Sequence, residues 1–135
     1  MTVIAVTGRK GGIGKSTITG NLAAMYVAMG YSVRVLDTDP QQSLLAWAGL
    51  GEGVLSVITS AVETEHPEVF RQKVAAAKQE AEIVFIDTPP GFADPALLAS
   101  LLADIVLLPV GPSPLDVMAA RDALELVHEA QKIGR

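Results

Sequence analysis

Apolar residues cluster along this chain in short continuous runs, each closed by a polar or turn-forming residue. Val3–Val6 closes near Gly8, and Val33–Leu36 ends at Asp37 with Pro40 forbidding continuation. Val54–Ile58 is a weaker run. Ile83–Ile86 ends at Asp87, and Ile105–Leu108 is stopped by Pro109. The runs do not alternate apolar with polar, so they predict strands of a parallel sheet covered on both faces. Between them the spacing turns helical. Ile18, Leu22, Met25 and Met29 recur at steps of three and four, predicting a helix over Lys15–Met29 that Gly30 ends as its C′ residue. Leu44–Leu50 predicts a short helix. Pro67–Glu80 is amphipathic, with Val69, Phe70, the Lys73 stem, Val74 and Ala77 on or near one face. Asp94-Pro95 and Ser113-Pro114 each pair an N-cap with a first-turn proline, opening helices to about Leu102 and about Lys132.

Strands alternating with helices predict one α/β domain over residues 1–135, a mostly parallel sheet with helices on both faces. Ligands of such sheets sit beyond the carboxyl ends of the strands. Lys15, Asp37, Asp39 and Asp87 all follow such an end. Composition narrows the options. Half of the 135 residues are hydrophobic and 19% are charged, which excludes a disordered acidic or basic tail. The net charge is −5 without a run of like charges, so no electrostatic footprint for nucleic acid is visible. There is no cysteine, which excludes disulfides, thiolate-held zinc and cysteine-ligated iron–sulfur clusters within this sequence. The first residues lack the positive region of a signal peptide, and no apolar stretch reaches the roughly 18 residues that span a bilayer. A soluble cytoplasmic protein without membrane attachment is the expectation.

The candidate chemistry begins at the glycine-rich loop. Residues 9–17 read Arg-Lys-Gly-Gly-Ile-Gly-Lys-Ser-Thr, after a strand and before a helix. Glycines let backbone N–H groups wrap phosphate oxygens, and the helix N-terminus adds partial positive charge. In such a loop Lys15 reaches the β- and γ-phosphates and the Ser16 hydroxyl ligates Mg²⁺. The ordinary P-loop has glycine where Arg9 stands. The departure itself is informative, because Lys10-Gly11-Gly12-Ile13-Gly14-Lys15-Ser16, followed by Thr17, resembles the deviant Walker A motif. That motif marks a family including ParA-type partition ATPases, the division regulator MinD and the nitrogenase iron protein.

The resemblance implies a P-loop fold that binds ATP and Mg²⁺ and forms an ATP-dependent homodimer, in which Lys10 reaches the partner's nucleotide. It makes Lys10–Thr17 the phosphate cradle. Two further segments carry it. Val35-Leu36-Asp37-Thr38-Asp39-Pro40-Gln41 resembles the first switch, and implies that Asp39 works near Mg²⁺ and the attacking water, with Asp37 supporting the metal shell or orienting the loop. Val84-Phe85-Ile86-Asp87-Thr88-Pro89-Pro90-Gly91 resembles a Walker B strand with the second switch behind it. Here Asp87 joins Ser16 and Asp39 around Mg²⁺, while the backbone near Pro90 and Gly91 senses the γ-phosphate.

Among the branches of the family, the lack of cysteine excludes the nitrogenase iron protein. The last helix carries Leu124, Val127 and Ile133 with acidic Asp122, Glu125 and Glu129, and lacks the basic face of a membrane-binding helix. It reads instead as sheet-covering. Asp37–Trp47 and Leu108–Asp116 resemble the small plasmid-type ParA proteins. That implies a slow ATPase in plasmid or chromosome segregation, stimulated by a ParB-like centromere-binding partner. Family members are usually longer, so the C-terminal part that contacts adenine and non-specific DNA is expected to be missing. Two other readings stay open: an inactive remnant, and a related ATPase that positions another cellular structure.

Overall fold

The computed structural model describes residues 1–7, 15–38, 58–63, 65–88, 94–109 and 113–134, with the side chains of Lys15, Ser16, Asp94, Pro95, Asp116, Ala119, Ala123, Leu126, Ala130, Gln131 and Ile133 outside that set. The expected helix over Leu44–Leu50 therefore lies outside the described residues.

Five strands are described: β1 Thr2–Val6, β2 Val33–Asp37, β3 Thr59–Ala61, β4 Ile83–Asp87 and β5 Ile105–Leu107. They form one sheet in the order β3-β2-β4-β1-β5. Every pairing is parallel, as the unbroken apolar runs predict. The central strands are buried on both sides, and β4 is buried along its whole length. Four helices are described: α1 Lys15–Ala28, α2 Pro67–Glu80, α3 Asp94–Leu102 and α4 Pro114–Gly134.

Strand alternation sends the core to two faces. On one face Ile4, Val6, Val33, Val35, Ile83 and Phe85 pack with Leu22, Ala23, Tyr26 and Val27 of α1. On the other, Val3, Ala5, Leu36, Val84 and Ile86 pack with Phe70, Val74 and Ala77 of α2 and with Leu98 and Ala99 of α3.

α1 forms over Lys15–Ala28, as the spacing predicts. Thr19 and Ala23 are buried and Leu22, Tyr26 and Val27 partly buried against the sheet, while Met25 and Met29 are 49% and 62% exposed. Two expectations are corrected. In α2, Phe70, Val74 and Ala77 are buried, while Val69 and Lys73 are exposed.

The third described strand is Thr59–Ala61; the expected strand Val54–Ile58 lies outside the described residues except for Ile58, which has helical backbone. Among the described residues β3 is a three-residue edge strand paired with β2, so it needs no apolar run. Ile58 packs instead on the α1 side of the core.

The second correction concerns β5 and α4. β5 is an edge strand beside β1, with Ile105 46% exposed. The last helix packs chiefly on α3. It buries Val127 and exposes Leu115, Val117, Met118 and Leu124. Its start follows the sequence signal, since the Ser113 carbonyl accepts the Val117 N–H at 3.1 Å.

The end of α1 follows its glycine. Gly30 has φ +98°, its N–H donates to the Val27 carbonyl at 3.0 Å, and the Tyr31 N–H donates to the Tyr26 carbonyl at 3.0 Å. This paired reversal is the Schellman motif. The rings of Tyr26 and Tyr31 meet edge-on at 5.7 Å, supplying the apolar contact that accompanies it. A Cβ on Gly30 would touch nothing within 4 Å, so a substitution acts through backbone conformation alone. Gly30→Ala is expected to lower stability by about 1–2 kcal/mol, and Gly30→Asn by less, in urea unfolding.

Candidate functional site

The site grows from the carboxyl edge of the sheet. β4 ends in Asp87, which lies in register with Val6 of β1 and with Asp37 of β2. Asp37 and Asp87 continue the alternation of Val35 and Phe85, so both point to the face that carries α1. Their exposures are 1% and 0%. Two buried carboxylates on adjacent strands are costly unless cations or hydrogen-bond donors meet them.

One donor comes from α1. The buried Thr19 hydroxyl donates to Asp87 Oδ1 at 3.4 Å. Thr19 stands four residues after Lys15, one turn along the same helical face. The contact therefore holds the start of α1 over the acid end of β4. The unpaired N–H groups of a helix's first turn make that start an anion site. A positive helix start and a buried carboxylate on one sheet edge suit a phosphate and its counter-cation together. The donors are hard oxygens, which fit Mg²⁺ better than a soft metal.

Beside the carboxylates runs a row of threonines. Thr38 directs both its N–H, at 2.9 Å, and its hydroxyl, at 2.8 Å, to the Asp87 carbonyl. Thr88 does the same to the Val6 carbonyl, at 3.2 and 2.8 Å. The Thr7 N–H donates to the Leu107 carbonyl at 3.0 Å, but its buried hydroxyl has no partner among the described residues. The sequence reading did not single out these threonines or Thr19. A signal was present: each of β1, β2 and β4 is followed at once by Thr.

Of the residues expected at the site, Asp87 is placed at the sheet edge, fully buried and bonded to α1. Lys15 and Ser16 open α1, though only their backbone is described, and Thr17 is exposed on its first turn. Lys10, Gly11, Gly12, Ile13, Gly14, Asp39, Pro90 and Gly91 lie outside the described residues. Among the described residues no group of three or more His, Cys, Asp or Glu could hold a metal, and no helix is long and apolar enough to cross a membrane.

A parallel sheet whose first strand leads through a glycine loop into α1, with an acid-ended strand beside it, defines a nucleotide-binding α/β protein. Residues 4–134 match the CobQ/CobB/MinD/ParA nucleotide binding domain, and the chain belongs to that family. It is 33% identical to maintenance of carboxysome distribution protein A of Halothiobacillus neapolitanus, over 96% of this chain and 59% of that protein. It is 30% identical to protein ParA of Rhizobium radiobacter, over 98% of this chain and 59% of that one. In structure it resembles the MinD cell division protein of Aquifex aeolicus, with a TM-score of 0.81 at 22% identity, over 98% of this chain and 65% of that chain. The expected kinship with ParA and MinD proteins thus holds. The chain spans less than two thirds of these relatives' length.

The Thr19–Asp87 contact makes a stability prediction. Asp87→Ala takes an acceptor from a buried hydroxyl and is expected to cost about 1–3 kcal/mol. Asp87→Asn keeps Oδ1 and is expected to cost less. Urea unfolding of the two variants without nucleotide checks the order.

Proposed function

We propose that this chain is the nucleotide-binding part of a Mg²⁺-dependent ATPase of the cytoplasm that works as an ATP-switched dimer to position a cellular cargo. The observation that carries this is Asp87, wholly buried at the end of β4 and held by Thr19 to the helix that the glycine loop opens. On this reading Lys15 and the backbone N–H groups of Gly11, Gly12, Ile13, Gly14 and Thr17 bind the β- and γ-phosphates. Ser16, Asp39 and Asp87 would hold the metal. Bound Mg²⁺ supplies charge neutralisation on the phosphate oxygens. Asp39 orients the attacking water. Lys10, from the partner copy, offsets the charge that develops in the transition state, as an arginine finger does. Backbone at Pro90 and Gly91 distinguishes ATP from ADP.

The cargo we favour is a plasmid or chromosome, with a ParB-like partner stimulating turnover. The ParA likeness and the motif segments support it. A second reading is supported by the 33% identity to a carboxysome distribution protein: the same cycle spaces a protein-bounded compartment instead.

Calorimetric titration with MgATP tests the nucleotide reading. Binding is expected in the parent chain and not in Lys15→Ala. MgATP at 100 times its Kd is expected to raise unfolding stability by about 2.7 kcal/mol, a gain that EDTA removes. A folded parent chain that takes up no MgATP would sink the proposal for this chain. Lys10→Ala is expected to keep MgATP affinity within about threefold and to lose nearly all turnover, since an arginine-finger group is worth about 10³–10⁵ in rate. Steady-state phosphate release checks it.

A further inference from the structure

We propose that Thr38 and Thr88 are positioning residues that tie the two carboxylate-bearing segments to the root of the phosphate loop; the proposal rests on the ATPase reading above. Each hydroxyl is redundant for satisfying the backbone. The Asp87 carbonyl already accepts the Thr38 N–H, and the Val6 carbonyl already accepts the Thr88 N–H. A valine would fit a strand end as well as threonine does. What the hydroxyl adds is a second donor to the same carbonyl, at 2.8 Å in both cases. Both residues are buried, where a hydrogen bond is electrostatically stronger than in water.

The two clamps occupy the places where the functional segments leave the sheet. Thr38 directly precedes Asp39, Thr88 directly precedes Pro89-Pro90-Gly91, and the Val6 carbonyl lies two residues before Gly8 at the head of the loop. The bonded peptides form one line. The Val62 N–H donates to the Asp37 carbonyl, the Thr38 N–H to that of Asp87, the Thr88 N–H to that of Val6, and the Thr7 N–H to that of Leu107. Such a line polarises cooperatively, so a change in one link alters its neighbours. Through it the root of the Asp39 segment is held against the root of the Pro90-Gly91 segment, and that root against the loop. On the ATPase reading, the clamps hold the two strand ends from which those segments depart. They do not themselves touch phosphate.

The test compares Thr38→Val and Thr88→Val with Thr38→Ser and Thr88→Ser in the full chain. Each valine variant is expected to lower kcat by about 10- to 100-fold, the scale of a misplacement near 1 Å, with the MgATP Kd within about threefold of the parent. Serine restores the rate. Thr7→Val, which removes a hydroxyl bonded to nothing among the described residues, is expected to melt no lower than the parent. Parental kcat in both valine variants overturns the proposal. So does a parallel loss of Kd, kcat and melting temperature that serine does not restore.

A second measurement needs no turnover, and so separates this proposal from the ATPase reading. In the nucleotide-free chain Thr38→Val is expected to speed amide exchange at Thr88 as well as at position 38. A change confined to position 38 overturns the coupling. Absence of MgATP binding in the parent counts against the ATPase reading and leaves the exchange result to decide this one.

Discussion

The line of hydrogen-bonded peptides across the carboxyl edge of the sheet is the constraint on which the rest depends. It runs from Val62, beyond β3, through Asp37-Thr38, Asp87-Thr88 and Val6-Thr7 to Leu107 at the end of β5. It exists only because the strands are parallel and end level: Val6 and Asp37 both pair with Asp87. The level ending is set by register, and the register by which side chains each face buries. Phe85 of β4 faces α1, and Ile86 faces α2 and α3. A one-residue slip of β4 would exchange these faces and withdraw Asp87 from Thr19.

The two covers of the sheet do different work. On the α2 and α3 side Phe70, Val74 and Ala99 pack against the strands, and the buried polar groups at the strand ends are the uncharged Thr7, Thr38 and Thr88. On the α1 side the apolar packing stops one residue short of the strand ends, where Asp37 and Asp87 take over. Buried acid there opposes the apolar burial that holds α1 down. Thr19 lies where those tendencies meet, buried among apolar neighbours and bonded to Asp87. The carboxylates are thus buried beside the helix start that the glycine loop leads into, where a cation would offset the cost of burying them.

Central strands and the stop of α1 were readable in sequence because each rests on a local rule. Continuous apolar runs fit only a twice-covered strand, and Gly30 meets a backbone conformation that side chains avoid. Burial at the sheet's margin was less legible because it is set from a distance: β5 stands where its apolar run predicts, yet at an edge with Ile105 exposed, and α4 packs chiefly on α3. Asp87 stood out as an acid closing an apolar run. Thr38 and Thr88 did not, because threonine is an ordinary strand residue and its second bond appears only when two strands are laid side by side.

The same separation bears on what the chain encodes. The described polar groups of the site lie at one sheet edge. Relatives named for a carboxysome and for ParA are 33% and 30% identical to this chain, over 96% and 98% of it. Likeness of similar size to proteins with different printed roles does not separate one role from the other. The described edge, Asp87 with Thr19 and the bonded line beside it, includes no side chain of α4, where Leu115 is 71% exposed and Met118 63%. Substitution of those exposed side chains therefore leaves the hydrogen bonds of the edge in place.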